Sequence, residues 1–170
     1  MEQPKAIELA QAKPLVSREF LFLIAAICIF PIFHNQFFTG PMVNAMFFIA
    51  LYFVSRRDTL LLAIIPSLMA LAVGLLPVII LPIIPYIIIS NFLLIFIFDL
   101  IRKHSFWQAV LWSSVLKFMF LYASSVILVK FFLKGDLAKA AAAMFSWPQL
   151  YSAIAGGLVA YFILKYLKRI

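Results

Sequence analysis

The sequence predicts an all-α integral membrane protein, a six-transmembrane-helix bundle with both termini cytoplasmic. Two observations carry that prediction. The chain is 66% hydrophobic with a mean hydropathy of +1.13, whereas soluble domains are about 45–50% apolar. Its apolar residues also gather into six runs close to the length of about 20 residues that a helix needs to cross a hydrocarbon core. A third observation, the placement of basic residues at the ends of those runs, sets the orientation. One membrane domain over 1–170 is expected, with an N-terminal cytoplasmic tail at 1–18 and the bundle at 20–166. The spans take up nearly the whole chain and leave no room for a soluble catalytic or nucleotide-binding domain.

The tail at 1–18 is polar and mixed in charge, and no small-residue cleavage site ends the first apolar run, so it does not read as a cleavable signal peptide. The first span is expected at 20–33. It holds the single cysteine, Cys28, which reads as a small apolar packing residue. The second is expected at 41–55 with Pro41 in its first turn, where a missing N–H costs nothing. The third is expected at 59–76, kinked by Pro66. The fourth is expected at 82–101, entered through a connection stiffened by Pro77, Pro82 and Pro85. The fifth is expected at 107–132, and the sixth at 148–166 with Pro148 in its first turn. Between the last two, the Ala-rich 137–144 predicts a short surface helix.

In this six-span arrangement Lys5, Lys13, Arg18, Arg56, Arg57, Arg102, Lys103, Lys165, Lys168 and Arg169 share one side. The other side has Lys130, Lys134 and Lys139, offset by Asp136. The positive-inside rule makes the richer side cytoplasmic. The net charge of +8 therefore reports topology and contact with lipid headgroups, not nucleic acid. The connections near 34–41, 77–82 and 134–146 then face outward together.

The first of these connections carries the densest polar cluster. His34, Asn35, Gln36, Thr39 and Asn44 surround Gly40-Pro41 between two apolar runs. Each unpaired polar group in lipid costs several kcal/mol, so the cluster reads as a binding mouth whose groups a ligand or water satisfies. Lys117 is the basic residue in the middle of a span, with Ser113 and Ser114 one turn before it. A charge at that depth costs at least about 2.5–3.5 kcal/mol and should face a cavity or a partner. It reads as an anchor for an anionic ligand group such as a carboxylate, or as a structural ion pair or a snorkelling lysine. Asn44 and Asn91 are intramembrane amides, available to a ligand or to a neighbouring helix. Tyr86, Trp112, Tyr122, Trp147 and Tyr151 are candidates for an aromatic wall and equally for an interfacial belt, the belt being the default for Trp147 and Tyr151 near the outer boundary. Asp99 is explained by an i,i+3 pair with Arg102. Ser152, Gly156 and Ala160, with Ala153 and Gly157, form small-residue rows for packing within the bundle or against another membrane subunit.

No P-loop, GxSxG, HExxH or paired intramembrane carboxylate is present, so an enzyme is not expected. The absence of HxxxH, CxxC or a carboxylate cluster argues against a dedicated metal site, and no resident cofactor is expected. His34 with Met42 or Met46 would serve as metal ligands only if haem were the ligand.

The segment Gln36-Phe37-Phe38-Thr39-Gly40-Pro41-Met42-Val43-Asn44-Ala45 resembles a QxxTGPxVNA pattern found in one branch of the substrate-binding S components of energy-coupling factor (ECF) transporters. Pro66-Ser67-Leu68, Gly74-Leu75-Leu76-Pro77 and Ile84-Pro85-Tyr86 with Asn91 are similar to the same branch. The likeness covers roughly 20–101; beyond that it lies in topology alone. It implies a multi-pass protein of the prokaryotic plasma membrane that binds a vitamin or cofactor in an outward pocket covered by the first outer loop. The family docks on a shared transmembrane subunit driven by two ATPase subunits and topples to release its substrate inward. Docking there often uses an Ala-x-x-x-Ala face on the first span; here Ala25 is followed by Ile29 and Ala26 by Phe30. The resemblance leaves the substrate open between a carboxylate-bearing molecule, haem, and biotin-, lipoate- or thiamine-like compounds. A structural or assembly protein and a small autonomous channel or transporter are the competing readings.

Overall fold

A computed structural model describes residues 17–76, 78–131 and 133–170. The expectations placed on Lys5, Lys13 and Pro77 lie outside them. The described chain is all-helical, 85% helix with no strand. Four of its helical stretches are long and apolar enough to cross a membrane: Gln36–Phe53, Leu81–Ile101, Phe106–Phe131 and Gly135–Tyr166.

Helix α1 is Arg18–Ile29, started by Ser17, whose Oγ accepts the Phe20 N–H at 3.1 Å. It tightens into a 3-10 turn, Phe30–Phe33, and stops at His34, which adopts the left-handed conformation with φ 50°. Asn35 then caps α2, Gln36–Phe53, its Oδ1 accepting the Phe38 N–H at 3.3 Å. The polar cluster is therefore mostly the first turns of a helix. Pro41 lies inside α2 and not in its first turn, because the Asn35 cap starts the helix earlier. Its missing N–H leaves the Phe37 carbonyl without a helical donor, at a residue that is exposed at the bundle's end.

The expected third span is two pieces, α3, Arg56–Leu62, and α4, Ile65–Ala72. Pro66 explains the break: its ring clashes with the carbonyl four residues earlier and it donates no hydrogen bond there. The consequence exceeds a kink, since the carbonyl of Ala63 becomes available to a side chain. A 3-10 stretch, Val78–Ile83, leads into α5, Ile84–Ile101. The remaining helices are α6, Phe106–Phe131, α7, Gly135–Met144, and α8, Trp147–Tyr166, with Pro148 in the first turn of α8.

Helix α2 is the central element and packs most extensively on α8, while α5 packs on α6. The larger core, built on Phe47, Phe48, Leu94, Ile95 and Phe98, fills one half of the bundle. A smaller one around Leu76, Ile83, Leu121 and Phe145 closes the other. Gly156 and the rest of the small-residue rows, Ser152, Ala153, Gly157 and Ala160, are buried, so they serve packing within the bundle. A Cβ on Gly156 would sit 2.7 Å from the Pro41 carbonyl oxygen, and one on Gly157 would run into Val110.

At the basic end Asp99 accepts from two arginines: Arg102 Nε at 2.8 Å and Arg56 Nε at 2.6 Å. The first is the expected i,i+3 pair; the second ties α3 to α5. Asp99 is buried, whereas the Arg56 side chain is 47% exposed and can recover solvent. Asp99→Asn should therefore destabilise by about 1.5–3 kcal/mol, the range for hydrogen bonds to charged groups. Arg56→Gln should then add little in that background. Thermal unfolding of the two single variants and the double variant in detergent checks this; additive losses would show that the α3–α5 tie contributes nothing.

Candidate functional site

Four helices each bring one polar side chain to the middle of the bundle. Helix α6 supplies Lys117, whose position is only 3% exposed. Its Nζ donates to Asn91 Oδ1 of α5 at 2.8 Å and to Asn44 Oδ1 of α2 at 2.9 Å. Both amides are themselves held from behind. Asn91 Nδ2 donates to the Ala63 carbonyl at 3.2 Å, the group exposed by the break between α3 and α4. Asn44 Nδ2 donates to Ser152 Oγ of α8 at 3.2 Å, and that hydroxyl donates to the Gln149 carbonyl at 3.0 Å. The outer ring of bonds orients both amide oxygens toward the ammonium.

Lys117 forms no ion pair among the described residues. Amide dipoles ease the cost of burying an ammonium without neutralising it. An ammonium has three N–H groups, and among the described residues two of them have acceptors. When protonated, Lys117 is therefore a positive charge with no counter-charge among the described residues.

Lys117 lines a cleft of about 220 Å3. The floor is Lys117, Asn44, Asn91, Ser67 and Ser152; Val43, Ala70, Leu76 and Ile87 are apolar walls. The mouth is formed by Gln36, Phe37 and Thr39 at the start of α2, Leu75 after α4, Met144 at the end of α7 and Gln149 and Tyr151 at the start of α8. These are the three connections that the charge pattern places on one face. No Asp or Glu lines the cleft among the described residues.

Of the residues expected to form the site, Gln36, Thr39, Asn44, Asn91 and Lys117 come together there. Thr39 also donates through Oγ1 to the Phe30 carbonyl at 2.9 Å, which fixes the α1–α2 corner. His34 and Asn35 are exposed beside the mouth and do not line the cleft, since one forms the chain reversal and the other is used as a cap. Trp112 and Tyr122 are 54% and 56% exposed on the outside of α6. Each lies five residues from Lys117, about 140° around the helix, so neither can share its face. Tyr86 packs against the smaller core. Met46 is buried in the larger core, and neither it, Met42 nor His34 lines the cleft, so the three do not form a haem-ligating set there. Ser113 turns to the Val110 carbonyl at 3.2 Å and not to Lys117.

Ser152, Gln149 and Ser67 were not among the expected site residues. Ser152 stands out only as a member of the small-residue row, and its spacing signals packing more strongly than hydrogen bonding. Gln149 follows Pro148 at a helix start and reads as a terminus. No family model, curated protein or solved structure matches the chain.

Proposed function

We propose that this chain is the substrate-binding S component of an ECF-type importer of the prokaryotic plasma membrane. In this reading the bundle spans the membrane six times, with α1 and the α3–α4 pair completing the four span-length stretches. The basic end with both termini faces the cytoplasm, and the cleft opens outward. The observation that carries the reading is the buried Lys117 amine, held by two neutral amides and facing a cleft with no carboxylate among the described residues. A purely structural lysine is expected to sit beside a counter-charge, because an unpaired charge at this depth is a continuing cost. A site that receives an anion from outside needs the opposite arrangement. The solute enters at the mouth, places its negative group on Lys117, and is carried inward when the bundle docks on a transmembrane subunit driven by two ATPase subunits. The bundle itself performs no bond chemistry.

Native mass spectrometry of the protein purified in mild detergent tests this. The expected result is a bound species of small-molecule mass, together with co-purification of a larger membrane subunit and ATPases. A bare protein mass after incubation with cell extract, with no ATPase partner, would favour a structural or assembly role.

A further inference from the structure

The polar groups at the cleft floor can be accounted for one by one, and what remains unused describes a ligand. Both amide oxygens face Lys117 Nζ, at 2.9 and 2.8 Å. Ser152 Oγ receives Asn44 and gives its own proton to the Gln149 carbonyl. Neither amide can rotate to present its oxygen elsewhere without releasing the ammonium. The unused capacity at the floor is therefore mainly donors: the third N–H of a protonated Lys117, the second N–H of each amide and the hydroxyl of Ser67, which can donate to a ligand or accept from one. The unused charge is a single positive one. Above the floor the walls are Val43, Ala70, Leu76 and Ile87, which offer a ligand body no polar partner.

Resting on the reading of this cleft as a solute site, we propose that its ligand is a monocarboxylate with an apolar body. A carboxylate accepts hydrogen bonds and donates none, so it matches a floor with donors to spare. Its single charge neutralises Lys117 and leaves no excess. A phosphate monoester at −1.5 to −2, or two carboxylates on one carbon, brings a second charge into a buried site with no second cation among the described residues. An ammonium meets Lys117 with like charge. The class excludes haem, with its paired carboxylates, and cationic or phosphorylated compounds. It includes both water-soluble short-chain acids and membrane-resident fatty acids, which share this chemistry.

The test measures binding to the full-length protein, freed of endogenous ligand, for octanoate, octyl phosphate, octylmalonate and octylammonium, with hexadecanoate to separate an aqueous from a membrane source. Octanoate should bind at least about tenfold more tightly than either dianion, and octylammonium should not bind. Lys117→Met should weaken octanoate about ten- to a hundredfold, the range for losing a hydrogen bond to a charged group. Because that variant can also disturb folding, the wild-type selectivity series stands independently of it. Tighter binding of a dianion or of octylammonium, or a bound native ligand of another class, would overturn the monocarboxylate inference and leave the transport-subunit reading standing. Failure of every probe, with no native ligand carried, would overturn both. Stronger binding of hexadecanoate than octanoate would support the inference and place the source in the membrane.

Discussion

Asn91→Leu should be among the most destabilising substitutions in this protein, and Lys117→Met should recover part of the loss. Asn91 joins three elements. Its amide oxygen takes one N–H of Lys117 from α6, and its NH2 group satisfies the Ala63 carbonyl at the break between α3 and α4. Leucine preserves most of the volume and removes both bonds. A buried carbonyl left without a donor costs about 1–3 kcal/mol, and a hydrogen bond to a charged group is worth about 1.5–3 kcal/mol. The expected loss is thus about 2.5–6 kcal/mol. With Met at 117 the ammonium is gone, so removing Asn91 affects the Ala63 carbonyl alone. The double variant should therefore be about 1.5–3 kcal/mol more stable than the sum of the singles predicts. Unfolding of the two singles and the double in detergent gives that coupling directly. Additivity would mean that the Lys117–Asn91 bond carries no energy, and the argument for an arranged floor would fail with it.

Much of this site was legible in the sequence, but its assembly was not. Lys117, Asn44 and Asn91 stand out because polar groups at membrane depth demand a partner, and each does line the cleft. Their meeting was not readable: Lys117 is 73 residues from Asn44 and 26 from Asn91 in sequence. Hydropathy locates helices without fixing their rotation about their axes. The same ignorance explains Trp112 and Tyr122, which are close to Lys117 in sequence and on other faces of α6. Pro66 was recognised as a disturbance, but whether a proline kinks or breaks a helix depends on what can satisfy the freed carbonyls. Here Asn91 does so for Ala63, a contact made across helices. Pro41 is a strong helix-start signal in the sequence and points to a start for α2 later than the Asn35 cap sets. The pairing of Asp99 with Arg56 is hidden for a related reason: a local partner, Arg102, is enough to account for the carboxylate in sequence.

Gly156→Ala should weaken ligand binding although Gly156 is not among the cleft-lining residues. Helix α8 approaches α2 so closely at this point that an added Cβ would lie 2.7 Å from the Pro41 carbonyl oxygen, 2.8 Å from Asn44 Cβ and 2.9 Å from the Ala45 nitrogen. Two of those three atoms are backbone, within one turn of α2, and cannot step aside as a flexible side chain would. The helices must separate instead. Overpacking of this kind costs about 1–3 kcal/mol. The separation also acts on the site, because Ser152 lies one turn before Gly156 and its bond to Asn44 is already 3.2 Å long. Lengthening it frees the Asn44 amide to turn, and the ammonium loses one of its two fixed acceptors. Gly135→Ala is the comparison: Gly135 has φ +59° with nothing within 4 Å of an added Cβ. It should cost roughly 1–2 kcal/mol of backbone strain and leave affinity for a cleft ligand unchanged. Thermal unfolding gives the stability term and titration with octanoate the affinity term. If both variants lose stability but neither loses affinity, the α2–α8 contact supports the fold without positioning Asn44. Loss of affinity in Gly156→Ala alone would establish the glycine as a positioning residue acting through Asn44 and Ser152.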